Sequence, residues 1–161
     1  MTEAGFLETP ILITNTSSVG VVRDAAVPWM KRNRYFDPFA PSLGDFWYAY
    51  PVVAETYDGI ISDISGQHVQ VADALAALDG GRSGPVQEGS VGGGTGMVCH
   101  QFKCGTGTSS RRTTVDGATY TVAALVQANH GSRNVLTIAG VPVGREISDL
   151  MPAVTPAPPA K

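Results

Sequence analysis

One stretch constrains the fold of this chain more than any other: Thr113 to Asn129, read with the residues just before it as RRTTV, then Asp116-Gly117, then ATYTVAALVQAN. An Asp-Gly pair accepts the positive φ angles of a tight hairpin turn, and β-branched residues flank it on both sides. The second strand of this hairpin does not alternate. From Val122 to Val126 it is apolar on both faces. A strand that avoids water on both sides needs one layer above it and another below. The expectation is a layered α/β sandwich, not a helix bundle or a one-sided sheet.

The remaining sequence supplies pieces suited to such layers. With 19 glycines and 11 prolines in 161 residues, the elements should be short and the connections many. Pro10 to Thr14 (PILIT) is an apolar run that suits a buried strand, and the polar cluster Asn15, Thr16, Ser17, Ser18 then suits a helix cap. The spacing predicts a helix from Val19 to Met30 with Val19, Val22, Ala26 and Met30 on one face. Lys31 to Tyr50 is rich in aromatic residues and prolines and has no clean period, which fits an ordered, partly buried loop. PVVAETYDG (51–59) reads as a strand leaving the core at Glu55. Gln67 to Leu78 reads as a helix with Val71, Leu75 and Leu78 inward, ended by Gly80 and Gly81. A shorter hairpin is expected from Val135 to Gly144. The tail DLMPAVTPAPPAK cannot join a packed sheet and reads as an extended linker. The chain thus divides into a partial domain over residues 1–147 and a proline-rich linker over 148–161, with no internal repeat.

Several function classes are disfavoured by composition. Hydrophobic residues make up 43% of the chain and charged residues 16%, enough to bury one sizeable core. A net charge of -3 offers no basic field for phosphate backbones or anionic lipid, so neither nucleic acid nor membrane is an expected partner. No run approaches the roughly 20 apolar residues that cross a bilayer. Cys99 and Cys104 are too few for a structural zinc site; they read as free, buried thiols in a reducing compartment, with a metal pair using His100 as the lesser alternative. Gly89 to Met97 (GSVGGGTGM) resembles a phosphate loop only superficially, because Met97 stands where Lys followed by Ser or Thr is required. Such glycines do permit close backbone approach and leave backbone N–H groups available. His68, His100 and His130 are widely separated and no Gly-x-Ser-x-Gly elbow accompanies them, so they read as structural or exposed. No metal or cofactor is expected.

Five segments in one order carry a more specific signal: ILITNTSSVGVVRDA (11–25), PVVAETYDG (51–59), GSVGGGTGMVCHQFKCGTGTSSR (89–111), YTVAALVQANHG (120–131) and GVPVGRE (140–146). Together they resemble the DmpA family, which includes L-aminopeptidase/D-esterases and β-peptidyl aminopeptidases. The resemblance implies a four-layer α/β/β/α sandwich like that of N-terminal nucleophile hydrolases, incomplete in this chain. It further implies a precursor that cuts itself before a serine. The freed serine, heading a separate β chain, is the nucleophile, and its α-amine is a suitable base at neutral pH. Substrates would be short peptides, amides or esters with a free amino terminus, and the αβ units would assemble into an oligomer.

The same resemblance assigns three residues. Asn129 corresponds to the side-chain amide that donates to the oxyanion, Tyr57 to a tyrosine that assists there, and Glu55 to the carboxylate that holds the substrate's ammonium. From the residues alone they would be a strand-end turn, a core aromatic and a solvated acid. Ser90 and Cys104 depart from the family, which has Asn and Gly there. In the family a further segment precedes the part that begins here, and the serine follows the proline-rich linker. The expectation is the α-subunit portion of a serine aminopeptidase, inactive alone; the alternative is a noncatalytic remnant that binds amino-terminal ligands or associates with a homologue. Cytoplasm is the default location, helped by the unpaired cysteines.

Overall fold

The computed structural model describes residues 5, 7, 9–34 and 50–152. They fall into two compact units, one drawn from residues up to Thr56 together with Ile64–Gly84, the other from Tyr57–Asp63 and the chain from Pro85 onward.

The first unit is a parallel strand pair packed against two helices. Strands β1 (Ile11–Asn15) and β2 (Val52–Thr56) pair in register, with Thr14 opposite Glu55 and Asn15 opposite Thr56. Helix α1 (Val19–Arg32) buries Val22, Ala25, Ala26 and Met30. Small alanines on that face let α2 (Val71–Asp79) approach, so that Val22, Ala25 and Ala74 form a core joined by Leu12, Val53 and Leu75. Helix α2 starts four residues later than its periodicity predicts. Gln70 takes the cap position and exchanges hydrogen bonds with Asp73, which leaves Val71 in the first turn and 47% exposed while Ala74 is buried. Gly80 ends the helix as expected, since a Cβ there would lie 2.8 Å from Ala76 O. Ser18 stands at the cap of α1 but makes no side-chain cap bond; Thr16 instead turns its hydroxyl to Glu55. Ile11 and Ile13 of β1 are exposed, because no layer among the described residues covers that face.

In the second unit, Asp116 and Gly117 adopt φ of 50° and 79°, as a two-residue hairpin turn requires. They join β5 (Thr106–Val115) to β6 (Ala118–Gln127) in a ten-residue antiparallel ladder. The pair stands as a bare ribbon. Tyr120, Val122, Leu125 and Val126 are each at least half exposed, so among the described residues the two covering layers are missing. Val135 to Gly144 forms less hairpin than expected: one bridge, Ile138 to Val141, after which Val143–Glu146 turns into the short helix α3.

Cys99 and Cys104 are not the free thiols expected from the sequence. Strands β3 (Val98–Cys99) and β4 (Phe102–Lys103) fold back on His100 and Gln101, both at positive φ, bringing the Cα atoms of Cys99 and Cys104 to 5.6 Å. That is disulfide distance, and the two are joined. The pairing removes the residue-level argument for a reducing compartment. The glycine-rich loop becomes a 3₁₀ turn over Gly92–Gly96, packed backbone to backbone: a Cβ on Gly94 would meet Gly89 O at 2.7 Å and Thr106 N at 2.8 Å. Of the aromatic stretch 31–50, residues 35–49 lie outside the described residues, as does the linker from residue 153.

Candidate active site

β6 ends at Gln127, and the chain then runs between two fixed backbone partners: Ala128 N donates to Gly105 O at 3.0 Å, and His130 O accepts from His100 N at 2.7 Å. Asn129 lies between them, partly buried. Its side chain pairs with Tyr57 much as a neighbouring strand would. Oδ1 accepts from Tyr57 N at 2.8 Å, and Nδ2 donates to Tyr57 O at 2.9 Å and to Val98 O at 3.2 Å. These three bonds fix which end of the amide is nitrogen, and they exclude Asp, which has no donor to offer two carbonyls. Both Nδ2 protons are engaged.

The loop after Asn129 is fixed by contact. Gly131 has φ of 79°, and a Cβ there would fall 2.2 Å from the His100 ring. His100 Nδ1 is 3.0 Å from Ser132 O, an acceptor, so the ring carries its proton on Nδ1. His130 stands edge-on to it at 4.9 Å between ring centroids. These histidines hold the loop.

The structure brings Asn129 and Tyr57 together, but through the Tyr57 backbone, while the tyrosine itself is half exposed. Glu55 belongs to the first unit, exposed near the end of β2, where Oε2 accepts from Thr16 Oγ1 at 2.5 Å. The Val98 carbonyl and the β3–β4 turn around it were not legible in the sequence, since His-Gln is no hairpin signal. Beside the start of β5 lies a groove of about 460 Å³, lined by Ser90, Lys103, Thr106, Val126 and Ala128 among others. Lys103 Nζ donates to Gly94 O at 3.0 Å and to Cys104 O, so its charge is held by backbone carbonyls. Glu88 accepts from both the hydroxyl and the N–H of Thr108, and these bonds hold its carboxyl below the usual carboxylate range.

Asn129 is thus a strand-end amide pinned to the Tyr57 backbone and the Val98 carbonyl. The solved structure of an L-aminopeptidase D-Ala-esterase/amidase from Ochrobactrum anthropi, described as a prototype for the serine aminopeptidases and a new variant of the Ntn hydrolase fold, is 53% identical to this chain. The two superimpose with a TM-score of 0.78 over 87% of this chain and 38% of that one. A Burkholderia sp. β-aminopeptidase matches at TM-score 0.77 and 51% identity, over 90% of this chain and 39% of its own. The β-peptidyl aminopeptidase BapA of Sphingosinicella microcystinivorans is 52% identical over 146 residues, 91% of this chain and 35% of that protein. Residues 1–154 match the model of peptidase family S58, and the chain belongs to that family. It has the fold of the Ntn hydrolase variant and supplies part of it, spanning about a third of the length of the curated relatives it matches.

Proposed function

We propose that this chain is the α-subunit portion of a serine aminopeptidase that releases amino-terminal residues from short peptides, amides or esters, with the nucleophilic serine on a separate β chain. The observation that carries the reading is the 52% identity to a β-peptidyl aminopeptidase along 91% of the chain. In this reading Asn129 donates Nδ2–H to the oxyanion, exchanging the Val98 carbonyl for it as negative charge develops. A fixed, neutral donor of this kind stabilises the transition state more than the ground state. Tyr57, whose backbone clamps the Asn129 amide, assists from the same place. Glu55 holds the ammonium of the substrate, exchanging the Thr16 hydroxyl for a charged donor. The bare apolar faces of β6 are covered by the β chain, and αβ units assemble further into an oligomer.

The reading is tested by co-expressing the chain with the part of the S. microcystinivorans relative that it does not match. The assembled pair should hydrolyse an amino-acid anilide with a free amine and leave the N-acetylated anilide untouched. A pair that assembles but cleaves neither, or both equally, refutes it.

A further inference from the structure

The Val98 carbonyl that accepts from Asn129 Nδ2 belongs to a hairpin that cannot hold itself. β3 and β4 have two residues each, a ladder too short to be stable alone. Its turn sets His100 and Gln101 at φ of 48° and 58°, left-handed backbone that suits glycine or asparagine and strains a histidine or a glutamine. Val98 stands opposite Lys103, and one step further out Cys104 N donates to Met97 O at 2.9 Å. Val98 and Lys103 are then a non-hydrogen-bonded pair, so the Val98 carbonyl faces away from β4, where Asn129 Nδ2 reaches it at 3.2 Å. Two restraints oppose the strain. At the tip, Arg133 Nε donates to His100 O at 3.0 Å, Nη2 to Gln101 O at 2.6 Å, and His100 N to His130 O at 2.7 Å. Beside Val98, the Cys99–Cys104 bridge ties the two strands covalently.

With a sequence separation of 5, this bridge restricts the unfolded chain far less than one that closes a long loop, so its effect is local to the hairpin. Both cysteines are half-buried, and Cys104 and Lys103 line the groove beside β5. The Lys103 ammonium, held at the Cys104 carbonyl, favours a thiolate beside it, the species that opens a disulfide. We propose that Cys99 and Cys104 are a redox-sensitive positioning pair: joined, they hold the Val98 carbonyl on the Asn129 amide, and reduced by a dithiol from the groove, they release it. A thiolate of the dithiol attacks one cysteine sulfur, the S–S bond breaks, and the other cysteine leaves as a thiolate and takes up a proton. The second thiol of the reductant then displaces the first cysteine; the protein gains two thiols and the reductant ends as a disulfide. With the bridge open the strained turn relaxes, Val98 O leaves Nδ2, and Asn129 keeps only its two bonds to Tyr57.

Tyr57 N–H reports on this, because it donates to Asn129 Oδ1 at 2.8 Å. The test is residue-resolved amide hydrogen exchange of the full 161-residue chain, oxidised, after dithiothreitol, and as Cys99→Ser with Cys104→Ser, each also in an Asn129→Ala background. Opening the bridge should speed Tyr57 exchange about 3- to 10-fold, the scale of one hydrogen bond, and leave the β5–β6 ladder unchanged. With Asn129→Ala, Tyr57 should exchange fast whatever the state of the cysteines. If the double serine variant fails to fold, dithiothreitol on the folded wild-type chain makes the same comparison. A bridge that dithiothreitol leaves closed overturns the proposal, as does unchanged Tyr57 exchange. Equal acceleration along the β5–β6 ladder would make the bridge structural, and a redox response that persists in Asn129→Ala would bypass Asn129; either overturns it too. The consequence for catalysis rests on the proposed function: in the assembled pair, reduction should lower kcat about 3- to 10-fold and spare KM, since the donor is no longer held in place. An unchanged or higher kcat in an active pair overturns that consequence. A pair with no activity refutes the proposed function instead, and the exchange result stands apart from it.

Discussion

Replacing Asn129 by Ala removes three hydrogen bonds, all to main chain: two to Tyr57 and one to Val98. At about 0.5 to 1.5 kcal/mol each they sum to about 1.5 to 4.5 kcal/mol of stability, and the lower half applies because water reaches this partly buried side chain. The catalytic loss is separate. Removing one oxyanion donor lowers kcat by about 100- to 1000-fold, or about 2.7 to 4 kcal/mol, with KM little changed. Asn129→Asp separates the two effects. It keeps an acceptor for Tyr57 N–H but sets a carboxylate oxygen against the carbonyls of Tyr57 and Val98, so at neutral pH it should be no better than Ala in either measure. Protonation of that carboxyl restores one donor, so stability should recover as pH falls. The assay is steady-state anilide hydrolysis by the assembled, pre-cut pair, with active sites titrated so that unfolded enzyme does not count as slow enzyme. If Asn129→Ala raises KM while kcat holds, or if Asp equals Asn at pH 7, the oxyanion assignment is wrong.

Glu55→Gln should raise KM for substrates with a charged amino terminus and spare kcat, because the contact exists already in the ground state; a kcat loss at constant KM would contradict this. Glu88 has a folded pKa held below its usual 4.5 by the two bonds from Thr108, so its stabilising effect is complete above 4.5 and is lost as pH falls through the lower folded value. Acid unfolding of Glu88→Gln should therefore lack that part of the pH dependence, and an unchanged acid limb would refute the pairing. With β6 uncovered, the chain alone should self-associate or bind a hydrophobic dye, whereas a sharp thermal transition of a monomer would count against the missing layers.

How much of the molecule was legible in the sequence depends on whether the signal is local. The Asp116-Gly117 turn and the strands beside it arise from residues in contact along the chain, and so do α1 and the Gly80 stop. The doubly apolar β6 implied two covering layers, but among the described residues the strand is bare on both faces; the layered fold class itself agrees with the Ntn hydrolase relatives. The β3–β4 turn was hidden because His100 and Gln101 take positive φ without glycine, under the pull of Arg133 and the His130 carbonyl from some thirty residues away. With that turn hidden, the Cys99–Cys104 pairing was hidden too. At the site, Asn129, Tyr57 and Glu55 were named by resemblance, but nothing local to them reveals that Asn129 grips the Tyr57 backbone. The hydrogen-bond partners lie 72 residues apart and carry no side-chain pattern to read.

The central claim is that this chain presents the oxyanion and substrate-binding side of a serine aminopeptidase while the nucleophile lies elsewhere. The most direct measurement is intact mass of both chains of the assembled pair after inactivation by a serine-directed sulfonyl fluoride. One adduct on the complementary chain, at a terminal serine, with the 161-residue chain unmodified and activity lost in proportion, is the expected result. An adduct on a serine of the 161-residue chain that tracks the loss of activity would contradict the account.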